Sequence, residues 1–364
     1  MRASIAMHTG DFMTDYEQAI SFGELYKGLM KSRRNVMWKD SVAGYSINAL
    51  KNTYKLRKSL LNGRYRLDPY QTFTIREPKV REIVATRIKD RQLQRSLCDN
   101  ILYPQITRSF IRDNCACQIG RGVDDALGRM DAHLHRYYRR HGPEGWVLQC
   151  DIKQYFSSTR HDVAKAAIRK RVKDRDAADK ACDIIDSFGE NGVGVGLGSQ
   201  VSQITELAVL DDLDHYIKER LRVKHYIRYM DDFILLHHDK AFLAQCLKEI
   251  RERLDAIGLE LNKKTHIYPI GQGVKFLKWR FLLTDSGKVV RKMNRKSISK
   301  ERRKLRKLHK LMDERRISGD DIRANYDSWK ANAKRGNTRG VIMSMDKYYA
   351  DLFGEEIKHG KSAC

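Results

Sequence analysis

The chain reads as an α+β protein: a mixed body of antiparallel hairpins and helices set between a helical N-terminal extension and a basic helical tail. Three observations lead there. Paired apolar-alternating runs flank tight turns near residues 77–79 and 230–231. Helical periodicity marks residues 14–29 and 46–61. After Lys288 the composition shifts, with 14 Lys and Arg against 3 Asp and Glu over residues 288–316.

Taken in order, Thr14 and Glu17 have the spacing of a capping box, and Phe22, Leu25, Tyr26 and Leu29 follow at helical spacing. A second helix is predicted over 46–61, ending near Asn62-Gly63. YQTFTIRE and VREIVAT alternate apolar and polar residues around Glu77-Pro78-Lys79, which predicts a hairpin bearing Arg76, Lys79 and Arg81. Helical periodicity returns in KDRQLQRSLCDNILYPQI, and the strand WVLQCDI carries Asp151 near its end, after the breakers of HGPEG. A basic helix is expected over 161–188, then a glycine-rich stretch, NGVGVGLGSQ, and an apolar helix over 199–221. HYIRY and FILLHH read as two strands bracketing Met230-Asp231-Asp232. A helix over 240–257 leads to the strands ELNKKTHIYPI and VKFLKWRFLLT. In the tail, Ile298, Leu305, Leu308 and Met312 fall at near-heptad spacing on a helix with a strongly basic outer face. The expected division is 1–64 as extension, 65–280 as body and 281–364 as basic helical tail.

Composition narrows the function classes. With 364 residues and 41% hydrophobic content the chain has enough apolar material for a large core. A formal charge of +25, from 71 Lys and Arg against 46 Asp and Glu, suits a polyanionic partner better than a neutral metabolite. MRASIAMHTGDFM lacks a signal-peptide run, and no stretch approaches the ~20 apolar residues of a membrane span, so a cytoplasmic protein without a membrane partner is expected. Seven scattered cysteines without zinc-site spacing read as reduced structural thiols.

The strongest chemical signal is Tyr229-Met230-Asp231-Asp232 between two buried-strand sequences. Asp-Asp in a turn is commonly a solvated feature, but a hairpin inside a sheet holds its carboxylates rigidly. A further carboxylate, Asp151, ends its own apolar strand. Three carboxylates on neighbouring strand ends suit two Mg²⁺ ions roughly 3.5–4 Å apart, the arrangement that activates a 3′-hydroxyl and stabilises leaving pyrophosphate.

Asp-Ile-Lys-Gln-Tyr-Phe (151–156), Leu-Gly-Ser-Gln-Val-Ser-Gln (197–203) and the Tyr-Met-Asp-Asp hairpin, in that order, resemble the motifs of bacterial reverse transcriptases, and the likeness extends from Arg76 to Trp279. The resemblance implies a right-hand polymerase fold of fingers, palm and helical thumb, with RNA-templated DNA synthesis from dNTPs, template RNA and a primer or cDNA strand as partners, and Mg²⁺ (or Mn²⁺) held by Asp151, Ile152, Asp231 and Asp232. Ile83–Leu93 and Asn114–Gly122 are similar to finger and palm motifs. It further implies Lys79 and Arg81 on the triphosphate, Leu197, Gly198 and Gln200 in the nucleotide-site loop, Lys264 near the leaving phosphates, and Phe156 as the aromatic gate that collides with a 2′-hydroxyl. Phe276-Leu277-Lys278-Trp279 resembles the primer grip, with Lys278 where relatives commonly carry glycine. Arg302, Arg303 and Arg306 would grip the duplex backbone from the thumb.

Most group II intron and retroviral enzymes carry Gln-Gly and Ser-Pro at the two ends of that loop, where this chain has Leu197-Gly198 and Ser202-Gln203. In this it resembles the enzymes of diversity-generating retroelements, which implies error-prone cDNA synthesis, with a small accessory protein as a candidate partner. The alternatives are a defence-associated or group II intron-like enzyme, or a non-catalytic RNA-binding protein on the same scaffold. An RNA-templated RNA polymerase is disfavoured by Phe156.

Overall fold

The computed structural model describes residues 13–76 and 80–354. Four helices open the chain: α1 (Asp15–Ala19), α2 (Phe22–Ser32), α3 (Asp40–Ile47) and α4 (Ala49–Leu61). The Thr14 hydroxyl accepts from the Glu17 amide while the Glu17 carboxylate accepts from the Thr14 amide, so the predicted capping box forms. Strands β1 (Gln71–Ile75) and β2 (Arg81–Ala85) pair antiparallel as the expected hairpin, with Gln71 opposite Ala85. Then come α5 (Ile88–Leu97), a π-helical turn (Cys98–Leu102), α6 (Tyr103–Ile106) and the long α7 (Val123–His141).

The central sheet has the order β4-β5-β3-β6, all antiparallel: β3 (Trp146–Asp151), β4 (His225–Tyr229), β5 (Asp232–His237) and β6 (His266–Pro269). Helices α8 (Tyr155–Ser158), α9 (His161–Arg171), α10 (Arg175–Asp186), α11 (Gln200–Val209) and α12 (Asp211–His215) lie between β3 and β4, and α13 (Lys240–Ala256) follows β5. Both faces of this sheet are buried, which is why its strands read as nearly continuous apolar runs. Leu148, Cys150, Phe233 and Leu235 join one core with α9, α10, α11 and the N-terminal helices. Val147, Ile227, Ile234 and Leu236 join a second core with Leu127, Met130 and Leu134 of α7. Adjacent residues thus point to opposite cores, as the two-residue strand period requires. A three-stranded sheet, β7 (Val274–Phe276), β8 (Trp279–Leu283) and β9 (Val289–Met293), leads into α14 (Arg295–Asp313), α15 (Gly319–Ala333) and α16 (Arg339–Phe353). Those three helices enclose their own cluster around Leu305, Ile322, Tyr326 and Met345. No helix among the described residues is long and apolar enough to cross a membrane.

Several expected elements are broken up, among them the apolar helix over 199–221, which divides into α11, α12 and a π-helical turn (Tyr216–Arg220), and the strand VKFLKWRFLLT, which turns after Phe276 into β7 and β8. The helix expected over 46–61 splits at Asn48 into α3 and α4. The basic helix expected over 161–188 becomes α9 and α10, because Val172 is extended and Asp174 caps a new helix by accepting from the Ala177 amide. Only His266–Pro269 of ELNKKTHIYPI is strand, since Asn262 folds the preceding residues into a turn by accepting from the Lys264 amide.

Leu277 and Lys278 link β7 to β8 with φ of +48° and +71°. Two positive φ values make the primed turn that matches strand twist and favours glycine. Lys278→Gly is therefore expected to stabilise the fold by up to about 1 kcal/mol, the relieved strain exceeding the added chain entropy. A raised urea midpoint with an unchanged slope is the check, and a lowered one refutes it.

Candidate active site

The end of β3 and the β4–β5 turn meet through main-chain register. Asp151 is the direct cross-strand partner of Asp232, and Tyr229 pairs with Asp232 from the other side, leaving Met230 and Asp231 as a two-residue loop. Met230 takes φ +57°, a strained value for a bulky residue and one that a surrounding structure must enforce. The clamps are visible. The Ile152 amide donates to the Asp231 carbonyl at 3.2 Å, and the Asn262 amide donates to the Asp151 carbonyl at 2.7 Å. The Ile152 side chain is buried, so it is the main chain of this residue that adjoins the carboxylates.

A third clamp lies beneath the turn. Arg228 and Asp214 have fully buried side chains. Arg228 Nε donates to Asp214 Oδ1 at 2.7 Å, and Nη1 donates to the Met230 carbonyl at 3.0 Å. Burial opposes the guanidinium charge, but the Asp214 carboxylate outweighs it and raises the Arg228 pKa. The edge of β4 is covered as well: the Arg228 amide donates to the Asp113 carbonyl at 2.9 Å, and the Cys115 amide to the Arg228 carbonyl at 3.0 Å. Nearby, burial pushes the Glu206 carboxyl up to about 8 although Thr159 donates a hydrogen bond to it. The sequence reading missed Arg228, Asp214 and Glu206. A signal existed for the first pair, because a cation inside a strand buried on both faces needs a buried acid, and LDDLD supplies one.

Asp232 is driven up to about 7, first by burial and then by the Asp151 and Asp231 carboxylates. Its Oδ1 is buried without a hydrogen-bond partner. A hard divalent cation relieves both conditions, so the donor set fits such an ion. Among the described residues no group of three or more His, Cys, Asp and Glu side chains is placed so as to hold a metal ion by itself. Mg²⁺ sites of this kind take much of their coordination from water and substrate phosphates, so an open carboxylate set is compatible with that use.

A second constellation forms where the loop at 197–200 meets β2. The Val84 amide donates to the Leu197 carbonyl at 2.9 Å. Gly198 sits at φ +123°, and a Cβ there would lie 2.6 Å from the Val84 carbonyl oxygen, so only glycine permits the approach. Arg81 begins the same strand and is exposed. Gln200 opens α11 with a buried, unpartnered Oε1. Phe156 lies in α8, half-buried, and its carbonyl accepts from the Val195 amide of the glycine-rich stretch at 2.8 Å. Lys264 is exposed in the Asn262 turn, the same turn that holds the Asp151 carbonyl.

The structure therefore brings Asp151, Ile152, Asp231, Asp232 and the Lys264 turn together, and joins Leu197 and Gly198 to the strand of Arg81. Lys79 lies outside the described residues. The three arginines of α14 stand apart from these groups, on the helices with their own core. Arg303 and Arg306 are exposed. Arg302, also exposed, turns back on its own subdomain, donating to Ser344 Oγ at 3.2 Å and lying 5.3 Å from the Tyr348 ring centre.

Protein YkfC of Escherichia coli (strain K12) is 25% identical over 270 residues, which cover 62% of this chain and 70% of that protein. Among solved structures, the apo telomerase of Candida tropicalis truncated of its C-terminal domain superposes with a TM-score of 0.47 at 13% identity, covering 62% of this chain. Telomerase of Candida albicans in complex with a fragment of telomeric RNA gives 0.48 at 12% identity, covering 73%. The chain spans about 55% of each telomerase chain. The model of the reverse transcriptase (RNA-dependent DNA polymerase) family matches residues 75–281, a span that holds β2, the loop at 197–200 and all three carboxylates. With more than half of its residues matched by that model, the chain belongs to the reverse transcriptase family.

Proposed function

We propose that the chain copies template RNA into DNA by nucleotidyl transfer from dNTPs, with Asp151, Asp231 and Asp232 as its catalytic carboxylates. The observation that carries this reading is the register pairing Asp151 with Asp232 beside the Asp231 turn. The carboxylates and the Ile152 main chain would hold two divalent ions, Mg²⁺ with Mn²⁺ as substitute, which when bound activate the primer 3′-hydroxyl and stabilise the departing pyrophosphate. Arg81 and Lys79 serve the triphosphate, and Lys264 the leaving phosphates. Leu197, Gly198 and Gln200 border the nascent base pair. Residues 1–64 act as a helical extension, 65–280 as fingers and palm, and 281–364 as a thumb whose Arg302, Arg303 and Arg306 meet the duplex backbone. A cytoplasmic setting belongs to the same reading.

Incorporation of dNTP and NTP on a primed RNA template tests the activity directly. Robust DNA synthesis supports it, and RNA binding without incorporation moves the chain to the non-catalytic reading. Phe156→Ala in the same assay is expected to admit ribonucleotides, because the ring that meets the 2′-hydroxyl is gone. Equal sugar discrimination in parent and variant would remove Phe156 from the gate.

Within the family we place the chain with enzymes of diversity-generating retroelements, on Leu197 and on Ser202-Gln203. Leu197 offers the base pair no donor or acceptor, and apolar contacts discriminate by only about 1–3 kcal/mol. Leu197→Gln is expected to lower misincorporation, most clearly opposite template adenines, without loss of basal activity. Sequencing cDNA copied from one adenine-rich RNA by both proteins decides it. An accurate parent, or an unchanged error spectrum in an active variant, favours the defence-associated alternative.

A further inference from the structure

At the end of β4 remote from the carboxylates, a cleft of about 310 Å³ opens between α7 and residues 218–225. His225 begins the strand and Tyr229 ends it, which separates cleft and turn by roughly 13 Å at the usual rise per residue. The floor of the cleft is built around Asp113, itself buried. Asp113 accepts from Arg129 Nε at 2.9 Å and Lys218 Nζ at 3.1 Å, and lies 2.9 Å from His133 Nε2.

Above that satisfied acid stand Arg136, Arg140 and Lys224, all exposed. Asp113 is the one acid among the lining residues, against five Lys and Arg. His225 Nδ1 is buried there without a hydrogen-bond partner. Burial first, then His133 and Arg136, push the His225 imidazole down to about 3.

Rings adjoin the cleft. The buried Tyr137 lies 5.5 Å from His225 and 5.1 Å from His141, His141 stacks on the exposed His238 at 4.6 Å with an interplanar angle of 12°, and His238 also lies 4.3 Å from His237. Free phosphate would use the cations alone. Adjacent cations and stacked rings match a nucleotide chain, whose phosphates need charge and whose unpaired bases need a flat surface.

We propose that this cleft is a second RNA site, separate from the carboxylates, in which Arg136, Arg140 and Lys224 hold backbone phosphates of a structured RNA and the exposed His238 meets an unpaired base. It anchors the RNA on the far side of the palm sheet. Its binding needs neither metal nor dNTP, so it can be tested whether or not the chain polymerises.

The test uses the full chain and the triple variant Arg136→Glu, Arg140→Glu, Lys224→Glu, none of which holds Asp113. Binding of a structured RNA with unpaired loops is measured against salt, beside primer extension on a short primed duplex. The triple variant is expected to bind the structured RNA about 10-fold or more weakly, with a log–log salt slope shallower by about 2 to 3. Primer extension on the short duplex should be unchanged. His238→Ala should weaken the looped RNA at least about 5-fold and leave fully paired RNA unaffected. Should the triple variant fold poorly, as read by circular dichroism, the milder Arg140→Gln, Lys224→Gln change is expected to act in the same direction. Parental affinity and slope in a folded variant overturn the proposal. So does loss of short-duplex extension in step with RNA binding, which would merge the cleft with the catalytic track. Inorganic phosphate that protects the parent but not the variant from thermal unfolding, with RNA affinity unchanged in both, would replace RNA by a free anion and overturn the assignment.

Discussion

Asp231→Asn and Asp151→Asn are each expected to slow nucleotide addition by at least about 10²- to 10³-fold, the scale on which a lost charge-stabilising group slows an active site. The amide keeps the size of the side chain and removes its charge, so the turn and its main-chain clamps persist. Asp151 and Asp232 remain cross-strand partners through backbone hydrogen bonds that no side chain supplies. Binding of primed RNA, carried by basic residues elsewhere, should stay within a few-fold of the parent. Single-turnover incorporation together with equilibrium RNA binding measures both quantities. Near-parental extension by either variant would withdraw the catalytic assignment, whereas parallel loss of RNA binding would point to a folding defect.

The second large effect is expected at Arg228. Arg228→Met strips the buried Asp214 carboxylate of its charge partner, and breaking such a pair costs about 3–5 kcal/mol. It also releases the Met230 carbonyl, which Arg228 Nη1 holds at 3.0 Å. The double change Arg228→Leu, Asp214→Leu separates the two roles. Replacing both charges by apolar side chains is often neutral or stabilising, so the double variant should regain most of the lost stability in a denaturant melt. Nucleotide addition should stay low, because nothing then holds the turn from below. If the double variant polymerises at the parental rate, the ion pair serves packing alone.

Particular residues show what the sequence made legible. The central strands were readable because alternate residues feed two different cores, giving short apolar runs bounded by turn residues. The cap at Thr14 was readable because it depends on two side chains three positions apart. The breaks at Val172 and at Asn262 were missed, since each turns on a local side-chain cap inside a polar run that also suits a helix surface or a strand. The carboxylates stood out by type and flank, yet what enforces their geometry did not. Arg228 sits where strand alternation assigns an ordinary polar residue, and its partner lies 14 positions earlier on a different element.

The contact between Val84 and Leu197 makes β2 and the loop at 197–200 a single seam. Arg81 is three residues along the same strand, so a shift of the loop is transmitted to it through a short, stiff lever. Under the proposed assignments, recognition of the base and grip on the triphosphate then act as one mechanical body: a mispaired base that pushes against Leu197 also displaces the cation that should meet the phosphates. Tolerance of mispairs in this chain would thus depend on how much play the seam allows, and Gly198, which admits no added atom there, sets that tolerance.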